Sequence, residues 1–265
     1  YKPRGALNAA LSLSEAAQKR GIITHSSGNF AQAVALAARK LGIKGTIVMP
    51  NNAPAVKKAA VLGYGAEVVE CAPTLAAREA TVEEIRAKTG QVFIHPSNDL
   101  AVICGQATAC MELLEEVPKL DAVVVPVGGG GLIAGTAAAA HRFSPKTAVF
   151  GGEPMGADDA WQSLRAGKII PQTNPQTIAD GLRTSLGDQN FPIIRALVKD
   201  IIRVEEAEII AALRLVWERM KIIIEPSSAV ALAAVWREKA RFAGQRVGIV
   251  VSGGNVDLRA LAPYF

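Results

Sequence analysis

The sequence predicts an α/β fold of two lobes, each built on a mostly parallel, open sheet with flanking helices. Three observations carry this expectation. Short β-branched runs alternate with Ala- and Leu-rich helical stretches along almost the whole chain. Several of those runs are continuously apolar, as strands covered on both faces should be. Polar loops containing glycine follow three of the runs, where a parallel sheet gathers its ligands.

Residues 4–19 read as a first helix, followed by a strand at 21–24 (GIIT). In 30–41, Phe30, Ala33, Val34, Ala37 and Leu41 recur at helical spacing, and Gly42 is a suitable stop. Strands at 45–49, 67–71 and 91–94 alternate with helices at 54–63 and 75–88. A long helix at 104–116 precedes the apolar strand 121–127, a helix at 132–142 and a strand at 147–151. In 206–221, Ile209, Ile210, Leu213, Val216, Trp217 and Met220 form one apolar stripe, which reads as core packing. A helix at 227–240 and a strand at 247–251 complete the series. The four strands of 21–94 make one series and residue 121 begins another. Residues 21–98 are therefore expected as a small domain inserted in a larger one made of 1–20 and 99–265.

Composition removes several classes of function. A chain of 265 residues can bury a sizeable core, and a sequence half hydrophobic and one-fifth charged is not disordered. The net charge of +5 is spread without a run of Lys and Arg, and aromatics make up only 5%. Neither a nucleic-acid patch nor a stacking platform is indicated. No apolar run reaches 18 residues and no signal-peptide pattern is present, so a cytoplasmic protein without membrane contact is expected. Cys71, Cys104 and Cys110 fit neither a disulfide framework nor paired zinc ligands, and read as reduced, buried thiols. The chain opens at Tyr1-Lys2 without a starting Met, so removal of an upstream segment is expected.

The strongest local signal is Gly128-Gly129-Gly130-Gly131, between the apolar strand 121–127 and the next helix. Consecutive glycines leave backbone N–H groups unshielded, and a helix N-terminus adds partial positive charge, so the loop suits a phosphate. It is neither GxGxxG nor Walker A, which argues against dinucleotides and nucleotide hydrolysis. Ser26-Ser27-Gly28-Asn29 opens helix 30–41; it reads either as ordinary N-caps or as a second anion pocket with a free hydroxyl beside it. Ser252-Gly253-Gly254-Asn255 follows the last strand.

Together these motifs resemble the fold-type II pyridoxal-phosphate (PLP) enzymes, tryptophan synthase β-subunit-like in fold, and within them the serine/threonine dehydratase and serine racemase family. Lys2-Pro3-Arg4-Gly5-Ala6 resembles the lysine motif, Ser26–Asn29 the substrate-carboxylate loop, Gly128–Gly131 the phosphate loop and Ser252–Asn255 the loop near the pyridine nitrogen. Ala179-Asp180-Gly181, Ile224-Glu225-Pro226 and Glu153-Pro154 with Ala157-Asp158-Asp159 also match in kind, in order and from end to end.

The resemblance implies PLP as cofactor, with Lys2 as both Schiff-base lysine and α-proton base. Asn29 would bond the ring hydroxyl oxygen and the four glycines the phosphate. Ser252 would meet the pyridine nitrogen; a neutral partner there makes the ring a weaker electron sink, which suits prompt elimination. Backbone groups of Ser26, Ser27, Gly28, Asn29 and Phe30 would hold the substrate carboxylate. Ser27, opposite Lys2, would be the second acid. Glu153 and Asp159 alone read as a solvated acidic turn. In the racemase-like branch, matching positions imply a divalent cation held by Glu153, the Ala157 carbonyl and Asp159 (Mg²⁺ or Mn²⁺, or Ca²⁺).

The implied activity is β-elimination of L-threonine, L-serine or a related 3-hydroxy amino acid to a 2-oxo acid and ammonia. Serine racemase with side elimination is the alternative, because the serine pair is shared with racemases. A non-enzymatic amino-acid- or phosphate-binding protein on the same fold is the remaining reading, and Lys2 argues against it. A homodimer is implied by the resemblance. Phe30 stands where much of the family has His; its backbone N–H can still serve the carboxylate, any role of an imidazole is lost, and a ring facing the substrate side would change side-chain preference. No regulatory domain follows Ser252–Asn255, so feedback control is not expected.

Overall fold

A computed structural model describes residues 1–53 and 55–265. The chain divides into two compact units, Tyr1–Gly105 and Gln106–Phe265. Position 54, expected to open a helix, lies outside the described residues.

The first unit contains α1 (Lys2–Leu11), α2 (Glu15–Arg20), β1 (Ile22–His25), α3 (Asn29–Leu41), β2 (Gly45–Pro50), α4 (Ala55–Gly63), β3 (Glu67–Cys71), α5 (Leu75–Thr89) and β4 (Val92–Phe93). Helix α6 (Leu100–Glu116) runs on into the second unit. The expected single helix 4–19 is two. Ser14 accepts a hydrogen bond from the Ala17 N–H, and the Gln18 amide donates to the carbonyls of Ala10 and Leu13. Side chains here offer the backbone an alternative to continuing the helix.

All strand pairs are parallel, in the order β3-β2-β1-β4. Ile22, Ile47 and Met49 pack on one face with Phe30, Val34 and the small face of α1 (Ala6, Ala9, Ala10). Ile23 and Val48 pack on the other face with Val82 of α5. Strand alternation thus feeds two helical layers. Residues 1–20, expected with the larger lobe, belong by their packing to this unit, since three alanines let α1 lie closely on α3.

The second unit adds β5 (Ala122–Pro126), α7 (Gly131–Phe143), β6 (Ala148–Pro154), α8 (Asp159–Ala166), α9 (Phe191–Leu197), β7 (Asp200–Val204), α10 (Glu206–Leu215), α11 (Pro226–Arg237), β8 (Val247–Ile249) and α12 (Leu258–Leu261). Its sheet is also parallel, in the order β7-β6-β5-β8. Ala122, Val124, Phe150 and Ile202 share a core with Ile209 and Leu213 of α10 and Val230 of α11. Strand β7 and helices α8 and α9 carried no clear periodic signal. The expected helix 206–221 ends as α at Leu215 and continues as a π turn, Val216–Met220.

Each sheet reverses its winding once. In the first unit the reversal falls between β1 and β4, and in the second between β5 and β8. Connections leave such neighbours in opposite directions and open a crevice beyond their carboxyl ends. The loops that emerge there include Ser26–Asn29 after β1, Gly128–Gly131 after β5 and Ser252–Asn255 after β8.

Candidate active site

In the first unit, the N-cap of α3 is Gly28, with no side-chain cap. The serines before it are therefore not the N-caps that the bland reading made of them. The Ser26 hydroxyl instead accepts the Gly28 N–H at 3.3 Å within the loop, and no hydrogen bond among the described residues engages the Ser27 hydroxyl. An uncapped helix start leaves N–H donors for an anion. Asn29, placed on the ring hydroxyl by sequence, is the first residue of α3.

Lys2 is half-buried, and its Nζ donates to the Pro96 carbonyl at 3.5 Å. It also lies 5.6 Å from the centroid of the Phe30 ring. Phe30 is only 2% exposed and belongs to the core shared with α1. Its ring packs in that core beside the lysine. His25 ends β1, stacked on Phe93 at 5.3 Å and edge-on to His95 at 6.0 Å. Burial, aided by His95 and Arg78, pushes its imidazole down to about 4, so it is neutral at physiological pH. His95, read as merely structural, accepts the Ser97 and Asn98 N–H groups at Nδ1, at 3.1 and 2.8 Å. It thereby fixes the turn whose Pro96 carbonyl meets Lys2.

In the second unit, Gly130 is the N-cap of α7 with φ +83°, and again no side chain caps the helix. A Cβ at Gly130 would lie 2.7 Å from Asn190 Oδ1 and from Leu186 Cδ2; one at Gly128 would lie 2.8 Å from the Leu182 Cα. The loop is thus backed by the segment 181–190, and small residues at an uncapped helix start suit a phosphate. Asn190, absent from the sequence-derived set, is fully buried; its Nδ2 donates to the Gly129 carbonyl at 2.8 Å and its Oδ1 accepts the Gly187 N–H at 3.1 Å. Ser252 is buried, and its N–H donates to the hydroxyl of Ser228 at 2.7 Å. The Glu225 N–H donates to the Gly253 carbonyl at 3.0 Å, so the last loop is held against the start of α11.

Glu153, Ala157 and Asp159 are all buried, which corrects the solvated-turn reading. Glu153 accepts the N–H groups of Ala160 and Trp161 at 2.9 and 2.8 Å, at the start of α8. Burial first, then the neighbouring Asp159, holds its carboxyl well above the usual carboxylate range. Burial likewise pushes Asp159 up to about 7, although backbone N–H groups, including that of Leu186, oppose the rise. Asp159 Oδ2 is buried without a hydrogen-bond partner among the described residues. Two buried carboxylates with one orphaned oxygen have the chemistry of a hard-cation site. Among the described residues no group of three His, Cys, Asp or Glu side chains adds to them, so a carbonyl and water would complete the shell. Asp158, beside the pair, is bonded by Arg203 at 2.8 Å, and the Trp161 ring is stacked by both Arg203 and Arg165.

Of the cysteines, Cys110 is buried, Cys71 half-buried and Cys104 exposed, so the expectation of three buried thiols holds for one. Among the described residues no helix is long and apolar enough to cross a membrane.

Known proteins resemble this chain along almost all of its length. The chain is 48% identical over 266 residues to "Serine racemase" of Dictyostelium discoideum, covering 99% of this chain and 82% of that protein. The crystal structure of that racemase superposes with a TM-score of 0.92, over 97% of this chain and 83% of that one. The chain is also 46% identical over 261 residues to "beta-hydroxyaspartate dehydratase" of Paracoccus denitrificans (strain Pd 1222), covering 98% of this chain and 83% of that protein. A crystal structure of threonine deaminase from "T.th." is 46% identical with a TM-score of 0.91, over 97% of this chain and 83% of that one. The family described as "Pyridoxal-phosphate dependent enzyme" matches residues 1–253. With its parallel sheets, glycine cradle and half-buried lysine, the chain belongs to the pyridoxal-phosphate dependent enzyme family.

Proposed function

We propose that this PLP-dependent enzyme is a serine racemase that also converts L-serine and related 3-hydroxy amino acids to 2-oxo acids and ammonia, by loss of the β-hydroxyl as water and hydrolysis of the resulting enamine. The comparisons favour this over the sequence expectation of a dehydratase first, since the 48% identical relative is named a racemase. The observation that carries it is Ser27. Ser26 spends its hydroxyl on the loop, whereas Ser27 keeps a half-buried hydroxyl with no bond among the described residues.

When bound, PLP supplies the aldehyde and the electron-withdrawing ring that make the substrate Cα–H acidic. Lys2 provides the amine for the aldehyde, Gly128–Gly131 receive the phosphate, Asn29 the ring hydroxyl oxygen and Ser252 the pyridine nitrogen. Backbone groups of Ser26–Phe30 orient the substrate carboxylate. Lys2 Nζ removes the α-proton and Ser27 Oγ gives one to Cα. Delivery to the opposite face yields the D-enantiomer; loss of the β-hydroxyl instead yields the 2-oxo acid and ammonia. The names of the dehydratase and deaminase relatives support the second branch. A divalent cation (Mg²⁺, Mn²⁺ or Ca²⁺) on Glu153, Ala157 and Asp159 neutralises the buried pair. A homodimer and a cytoplasmic location belong to the same reading and rest on family likeness.

The test is incubation with PLP, MgCl₂ and L-serine, with D-serine and pyruvate quantified from one tube. D-serine should form alongside pyruvate, and Ser27→Ala should remove D-serine while pyruvate persists. Pyruvate alone from the unaltered protein overturns the racemase reading in favour of elimination. Borohydride reduction and peptide mapping should place a phosphopyridoxyl group on Lys2; its absence overturns both branches.

A further inference from the structure

Hydrogen bonds join the buried carboxylate pair to the glycine cradle through Gln172 and the strap 185–190. The Gln172 amide reaches Asp159 Oδ1 at 3.5 Å, and Ser185 accepts the Gln172 N–H at 2.8 Å. Two residues on, the Gly187 N–H donates to Asn190 Oδ1 at 3.1 Å. Asn190 Nδ2 then donates to the Gly129 carbonyl at 2.8 Å. The same strap touches the cradle by packing, because Leu186 and Asn190 fill the space a Gly130 side chain would need.

Every bond in this relay lies within one unit, and Asn190 is fully buried. The amide is placed to serve both ends, since only a group with one donor and one acceptor side by side can bond a carbonyl and an N–H together. We infer that Asn190 is a positioning residue that transmits cation occupancy at Glu153 and Asp159 to the phosphate loop. This rests on the PLP and cation assignments above. A cation that draws in the orphaned Asp159 oxygen fixes the carboxylate, the carboxylate fixes Gln172 and through it Ser185 and the strap to Gly187, and Asn190 then holds Gly129 in its anion-receiving form. Coupling of this kind is reciprocal, so phosphate binding tightens the cation in turn.

The experiment measures dissociation of PLP, and separately of pyridoxal, from the full chain by equilibrium dialysis in EDTA and in saturating MgCl₂. Cation binding itself is followed by the fluorescence of Trp161, whose backbone N–H meets Glu153. MgCl₂ should tighten PLP by about fivefold or more, the lower end of ordinary coupling. Pyridoxal, which lacks the phosphate, should be unmoved. In Asn190→Ala the MgCl₂ effect on PLP should fall to nearly none while the fluorescence response to MgCl₂ remains. A general loss of structure would instead weaken PLP and pyridoxal together. Hydrogen exchange on the unaltered protein provides a measurement free of any folding defect: MgCl₂ should slow the amides of Gln172, Gly187 and Gly129–Gly131. No protection there, a MgCl₂ effect retained in Asn190→Ala, or no response to MgCl₂ at all overturns the inference. No PLP uptake by the unaltered protein overturns the functional reading itself.

Discussion

The Nζ of Lys2 lies 5.6 Å from the centre of the Phe30 ring, and Phe30 is sealed into the core that joins α1 to α3. The ring therefore supports the helix that presents the lysine and also offers its negative face to an ammonium. Phe30→Ala should cost about 3–5 kcal/mol of stability, the usual range for a buried aromatic. Phe30→Leu, which keeps most of the volume, should cost much less. Urea midpoints of the two variants check this, and the yield of phosphopyridoxyl-Lys2 after borohydride reduction should fall with Phe30→Ala.

Gly130 has a left-handed φ of +83° and no room for a Cβ. Gly130→Ala should destabilise by at least ~1–2 kcal/mol from backbone conformation alone. It should also displace Asn190 and weaken PLP more than pyridoxal. Urea unfolding and dialysis of the two ligands read the two effects separately.

Asp159 sets one limb of the pH dependence in metal-free protein. Its folded carboxyl titrates at about 7 against a reference of 3.8, so between those values the folded form holds a proton the unfolded chain has lost. The Asp159 contribution to stability must then fall as pH rises from about 4 to about 7. Thermal unfolding in EDTA should show that decline in His25→Gln, where no imidazole opposes it; adding Asp159→Asn should reduce it to the part set by the raised carboxyl of Glu153, and MgCl₂ should offset it only when Asp159 is present.

His25 contributes the opposite limb. Its folded pKa of about 4 lies below the reference 6.5, so the unfolded chain binds the extra proton between them. That contribution is present above pH 6.5 and is lost as pH falls toward 4. His25→Gln should remove that opposing rise and so expose the Asp159 decline over about pH 4–6.5. Unfolding of the single and double variants across pH 4–7 separates the two.

Much of this protein was legible in its residues because the signals are local. Continuous apolar runs announced the strands of two parallel sheets, and glycines beside strand ends marked the loops that the winding reversals later explained. Strand β7 escaped because Asp200 and Arg203 interrupt its apolar run; it becomes a strand by pairing with β6. The serines of 26–27 looked like caps because composition cannot say where a helix begins, whereas the backbone starts α3 after Gly28. Asn190 carried no signal at all. Its meaning depends on a carbonyl 61 positions away, just as that of Ser228 depends on an amide 24 positions away. Periodicity and turn chemistry are properties of neighbours along the chain, so sequence by itself determined most of the elements, the glycine-rich loop after β5 and the family likeness. Which buried polar groups meet, which carboxylate oxygen is left alone and which ring stands behind the lysine are settled by packing, and only the tertiary structure decided them.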